Sequence, residues 1–119
     1  MSNPQADDGL FFQVGVRGFS SFRIKAERID TIPELRWPIA AGEVRRARRN
    51  LSPVVLFLFD ADRDHGRYAR LDVLPAPARG AKSVTVSFRV SDVLTREGVE
   101  RLVADLRATR RQMADSSAA

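Results

Sequence analysis

Asp60, Asp62 and Asp64 alternate directly behind an apolar run in PVVLFLFDADRDHGRYARL, and His65 and Gly66 follow them. Carboxylates at every second position are oxygen ligands for a hard cation such as calcium or magnesium. A calcium loop of the EF-hand kind also requires glycine at its sixth position and a bidentate Glu at its twelfth. Counted from Asp60, the sixth position is His65, glycine comes one residue late, and the twelfth is Leu71, which has no ligand atom. Arg63 and Arg67 lie in the same stretch and would repel a cation. The other reading is a turn. Aspartate bonds its own nearby backbone, and glycine accepts positive φ. An apolar run before and an alternating run after are what a hairpin requires. A metal role for the acidic end of the strand stands beside that reading.

Other chemistries find little support. His65 is the only histidine and the chain has no cysteine, so zinc lacks its usual ligands and disulfides are excluded. There is no G-x-S-x-G, no P-loop and no G-x-G-x-x-G. A second candidate surface is basic. In Glu43-Val44-Arg45-Arg46-Ala47-Arg48-Arg49, a helix places Arg45, Arg48 and Arg49 on one side with Arg46 beside them. Four guanidinium groups could clamp phosphates, which makes this the nucleic-acid-binding candidate. The same arginines also suit a solvated face near a helix C-terminus, where the dipole favours cations. Arg101, Arg107, Arg110 and Arg111 form a similar surface that Glu100 and Asp105 interrupt.

The elements that must position these residues follow from periodicity. The chain has 119 residues, 44% of them hydrophobic, which suits one domain with a real core. We expect a flexible lead over 1–8, a single domain over 9–112 and a frayed tail over 113–119. Leu10–Arg17 reads as a strand that Gly18 breaks, and Phe22, Ile24 and Ala26 alternate as a second strand in a hairpin around Arg17–Ser20. The stretch 28–40 holds Pro33 and Pro38 and reads as an irregular connection with an edge segment, Trp37 packing inward. Residues 41–50 read as a helix with the stripe Val44, Ala47 and Leu51. Pro53 opens a central strand covered on both faces. A strand follows with Tyr68, Leu71 and Val73 inward, then a loop over 75–82. Residues 83–90 make an amphipathic strand. Thr95 caps a last helix whose stripe is Val99, Leu102, Val103, Leu106 and Met113. The order β-β-α-β-β-β-α implies an α+β fold, a mixed β-sheet of about five strands with helices packed on it.

The net charge of +5 permits acidic or nucleic-acid partners. Only Lys25 and Lys82 among the 20 basic residues are lysine, and this arginine excess fits the codon usage of a GC-rich bacterial genome. No apolar run is long enough to span a membrane, and the polar start MSNPQADDG lacks a signal-peptide core, so a cytoplasmic location is expected.

The succession GLFFQVGVRGFSSFRIKAE, then RWPI, a helix, and SPVVLFLFDADRDHGRYARL resembles the PD-(D/E)xK, or restriction-endonuclease-like, superfamily over about residues 8–107. In particular it is similar to small bacterial uncharacterised domains of that kind attached to defence and signalling proteins. In that family an Asp and a Glu or Gln hold magnesium and a Lys steadies charge or activates water. The resemblance implies Lys25 for the lysine and Asp8 for the aspartate, with Asp60 as a further acidic helper. The Glu or Gln position is Arg23, a permanent cation that cannot ligate magnesium. Glu27, two residues beyond Lys25, could substitute only in a rearranged site.

The expected function is therefore a non-catalytic, nuclease-like scaffold with no cofactor and no metal. It would act as a protein-interaction or assembly module through a protein partner or self-association, in bacterial defence or signalling. Two alternatives are a magnesium-dependent nuclease using Asp8, Lys25, Glu27 and Asp60, and a nucleic-acid binder using Arg45, Arg46, Arg48 and Arg49.

Overall fold

The structure is a computed structural model that describes residues 11–23 and 29–118, with side chains as far as Thr109. Its elements are β1 (Gln13–Phe19), a short 3-10 turn (Ile29–Thr31), β2 (Glu34–Ala40), α1 (Ala41–Arg49), β3 (Val54–Asp60), β4 (His65–Arg70), β5 (Ser83–Arg89) and α2 (Arg96–Ala118). The fold is α+β, and the element order is the expected one. The strands divide into a mixed three-stranded sheet, β1-β3-β4, and a two-stranded sheet, β2-β5.

The apolar run of β3 takes the centre of the larger sheet, parallel to β1 and antiparallel to β4. Its two faces meet different partners. Leu56 and Leu58 join Phe19, Ile39, Val44, Ala47, Val86 and Phe88 in the main core between the sheets and α1. Val55 faces the other way and packs with Tyr68, Leu102 and Leu106 under α2. Beyond β5 the chain crosses back to the outer edge of β4, where Tyr68 N–H donates to Asp92 C=O (2.9 Å) and Leu94 N–H to Gly66 C=O (2.8 Å). Among the described residues that leaves β1 as the open edge of the sheet.

Several local expectations change. The turn expected at Arg17–Ser20 is displaced: Arg17, Gly18 and Phe19 continue the β1 ladder opposite Leu58, Phe59 and Asp60. Running on buries Phe19 at 7% exposure, and its ring meets Trp37 at 5.4 Å. Ile24 and Ala26 lie outside the described residues. The second strand is instead Glu34–Ala40, whose Pro38 is tolerated because β2 pairs only with β5. Leu51 lies beyond α1 and is 92% exposed, so the stripe reduces to Val44 and Ala47. Val73 lies past the end of β4 and is likewise exposed, whereas Leu71 is buried. The helix α2 continues through Ala118, past the expected boundary at residue 112.

The start of α2 is set by contact as well as by its cap. Thr95 Oγ1 accepts the Gly98 N–H at 3.1 Å. A Cβ on Gly98 would stand 1.8 Å from the carbonyl oxygen of Val93, the residue that bridges to β4. Glycine here allows the crossing chain to lie against the first turn of the helix. Helix propensity alone favours alanine over glycine by about 1 kcal/mol. We expect the opposite sign: Gly98→Ala lowers the urea midpoint, a loss of about 1–3 kcal/mol from overpacking.

Candidate functional site

Asp60 ends β3 and pairs with His65 across the hairpin, so the aspartate-rich stretch is the turn Ala61–Asp64. Asp60 itself is 6% exposed. Oδ1 accepts the backbone N–H of Ser21 (3.1 Å) and of Asp62 (3.0 Å). Asp62 in turn accepts the Phe22 N–H (3.1 Å) and the Ser20 hydroxyl. The two carboxylates thus staple the segment that follows β1 onto the β3–β4 turn. Burial alone would raise the Asp60 pKa. The nearby Ser21 hydroxyl dipole, the bonded Asp62 and Ser21 amides and the Arg63 charge outweigh it and hold the carboxyl below its ordinary value. Asp60 Oδ2 and Ser21 Oγ stand outside hydrogen-bonding geometry with each other or with any other described group. Amide protons occupy Oδ1, and no group of three or more acidic or histidine ligands converges among the described residues.

Arg67 on β4 lies beside this turn, on the face of the sheet that looks into the main core. It is opposite Leu58 and 0% exposed. Nη1 donates to Phe88 C=O (3.1 Å), Nη2 to Ile29 C=O (2.8 Å), and Nε to His65 Nε2 (2.9 Å). No carboxylate forms an ion pair with it among the described residues. Burial lowers the guanidinium pKa and the nearby Asp30 charge opposes that, but arginine stays charged in proteins. As the acceptor of the Nε–H bond, His65 must be neutral with its proton on Nδ1. Burial pushes the imidazole below its ordinary 6.5, with help from Arg67 and against Asp30 and Asp60. Sequence reasoning treated Arg67 as a loop cation; its interior position follows from the register with β3.

The arginines of α1 are largely occupied. Arg45 donates to Ala78 C=O (3.0 Å) and Ala81 C=O (3.4 Å), and Arg48 to Leu74 C=O. Both pin the 74–82 loop to the helix. Arg49 lines a shallow depression beside them with Ala76 and Pro77. Arg46 turns to the other side, where a cleft of about 270 Å³ separates α1 from β1. Gln13, Glu43 and Asn50 share its rim, and Ala47, Val54, Leu56 and Leu71 contribute apolar walls. Arg45, Arg48 and Arg49 thus share one side of α1, as expected, and Arg46 faces the cleft on the other.

The most open apolar surface belongs to β1. Val14 and Val16 register with Val55 and Phe57, so they share the face that α2 covers over β3 and β4. At β1 the cover stops: Val14 is 45% and Val16 58% exposed. Phe59 is exposed on the same face, its ring edge-on to Phe57 at 6.3 Å. On the opposite face Arg17 pairs with Glu43 of α1.

Asp8, Lys25 and Glu27 lie outside the described residues. Arg23 is exposed in the turn after β1. No helix among the described residues is long and apolar enough to cross a membrane. No family model, curated protein or solved structure matches the chain.

Two measurements test the polar centre. Arg67→Ala strands two carbonyls and leaves a void, so a loss of about 3–5 kcal/mol is expected in chemical denaturation. Arg67→Met fills the space and loses less. For His65, the unfolded chain takes up its proton near the ordinary 6.5, whereas the fold keeps the ring neutral to lower pH. Its contribution is complete above pH 6.5 and is lost as pH falls from there to the folded pKa. The Asp60 contribution is present above that group's ordinary 3.8 and is lost as pH falls through its lower folded pKa. Urea midpoints measured between pH 7.5 and pH 5 should therefore decline in the parent and flatten in His65→Gln.

Proposed function

We propose that this chain is a non-catalytic protein-interaction module whose working surface is the open edge of β1 and its apolar face. The observation that carries this reading is the exposure of Val14 and Val16 on a strand that, among the described residues, is hydrogen-bonded along one side only. An unpaired edge is a template for another strand, and proteins ordinarily blunt such edges with proline, lysine or a bulge. β1 has none of these. Added strands gain affinity from the backbone and specificity from alternate side chains. The cleft beside Gln13 and Gly15 and the Val14–Val16 face offer surface on each side of such a strand.

The resemblance to PD-(D/E)xK domains fits a scaffold of that kind retained for binding, in bacterial defence or signalling. The nuclease alternative asks Asp60 to ligate magnesium, and Asp60 is buried with its Oδ1 already accepting the amides of Ser21 and Asp62. The nucleic-acid alternative asks four arginines to act together, and Arg45 and Arg48 are engaged with loop carbonyls.

A photoreactive side chain at Val16 tests the reading. It should give a discrete protein adduct in cells, while the same group at exposed Arg79 gives none. No adduct at Val16 overturns the proposal. So does magnesium-dependent cleavage of DNA or RNA by the purified chain that Asp60→Ala abolishes.

A further inference from the structure

We infer that the strand which completes the edge is β1 of a second copy, paired antiparallel across a two-fold axis through Gly15. The inference rests on the interaction reading above and names its partner. Its basis is the direction of the backbone groups together with the order of residues along the strand.

Gln13 N–H donates to Pro53 C=O (2.9 Å), and Phe19 C=O accepts from Ala61 N–H (2.6 Å). The odd-numbered residues of β1 therefore turn their N–H and C=O towards β3. Alternation sends those of Val14, Val16 and Gly18 to the open edge. Only the Val16 carbonyl has a partner there among the described residues, a local bond from Arg17 Nη1 at 3.1 Å that an incoming amide can replace.

An antiparallel partner must set even residues opposite even residues, and an axis through Gly15 does so. Val14 then exchanges both backbone bonds with the partner's Val16, and Val16 with the partner's Val14. Gly15 meets its own copy, which brings no side chains into collision. The sequence Gln13-Val14-Gly15-Val16-Arg17 is close to palindromic about that glycine. On the α2 side, valine lies opposite valine in both halves, beside the exposed Phe59. On the cleft side, Gln13 lies opposite the partner's Arg17, an amide carbonyl facing a guanidinium. No like charges oppose each other, and cross-strand apolar pairs each stabilise a sheet by roughly 0.2–1 kcal/mol. The outcome is a continuous sheet, β1-β3-β4 doubled about its open edge. A closed two-fold contact of this kind uses up both edges and does not propagate.

Charge sets the conditions. Each copy carries a net +5, so long-range repulsion opposes the pairing, and salt screens it over about 8 Å at physiological ionic strength. Self-association should strengthen as salt rises, the reverse of phosphate binding.

The absence of cysteine makes the register measurable. Val14→Cys and Val16→Cys are exposed substitutions, each verified as folded by circular dichroism. In an equimolar mixture under mild oxidation, the disulfide between the two variants should form several-fold more than either homodimeric disulfide, because only positions 14 and 16 stand opposite. Sedimentation equilibrium in high salt should give twice the 13.3 kDa monomer mass, and Val16→Lys should return it to 13.3 kDa with an unchanged fold. If Val16→Cys alone gives the dominant disulfide, the axis through Gly15 is wrong. A monomer at every concentration overturns self-pairing. If its Val16 photo-adducts then contain other proteins, the interaction reading survives; with no adduct, both fall.

Discussion

A buried charge with no ion pair among the described residues sits where the two sheets meet. Arg67 belongs to the larger sheet, yet its guanidinium bonds the carbonyl of Phe88 in the smaller sheet and that of Ile29 in the turn before β2. Desolvating a charge is costly unless hydrogen bonds compensate, and here neutral dipoles supply that compensation. The arrangement works only when β4, β5 and the Ile29 turn hold one relative position. The interaction therefore specifies geometry more than it adds stability. It also fixes the tautomer of the single histidine.

Around that anchor the polar groups divide sharply from the apolar ones. Asp60, His65 and Arg67 occupy one end of the inter-sheet space, and Leu56, Ile39, Val44 and Val86 fill the rest. Asp60 turns one oxygen, Oδ1, to the amides of Ser21 and Asp62. This gives the turn a rigid foundation and makes the segment after β1 depend on the β3–β4 hairpin. Loop carbonyls do for Arg45 and Arg48 what amides do for Asp60. Asp60, Arg45 and Arg48, whose types suggest ligand chemistry, help to hold loops in place.

The open edge follows from the same layout. A strand that returned next to β1 would have covered it, but the second strand pairs with β5 in a separate sheet. The crossing segment Asp92–Leu94 closes the β4 edge, and α2 lies over β3 and β4. Nothing described closes β1. The surface of functional interest is thus defined by where cover ends, and no motif marks it.

The chain's own pattern settled much of the local structure. Val44 and Ala47 at helical spacing, the unbroken run of β3, the alternation of Val84, Val86 and Phe88, and Thr95 ahead of the last helix all report neighbours within a few residues, where periodicity and capping act directly. Asp and Gly around residues 60–66 likewise marked the hairpin turn through local backbone chemistry. Pairing between distant strands left no such mark. Gly18 looked like a breaker because glycine often is one, and only alignment with β3 made it an ordinary ladder residue. Arg67 read as one more cation of the aspartate-rich stretch, while its neighbours in space are Leu58, Phe88 and Ile29. Register, burial of a charge and exposure of an edge depend on contacts between segments far apart in the chain, so the tertiary structure alone decided them.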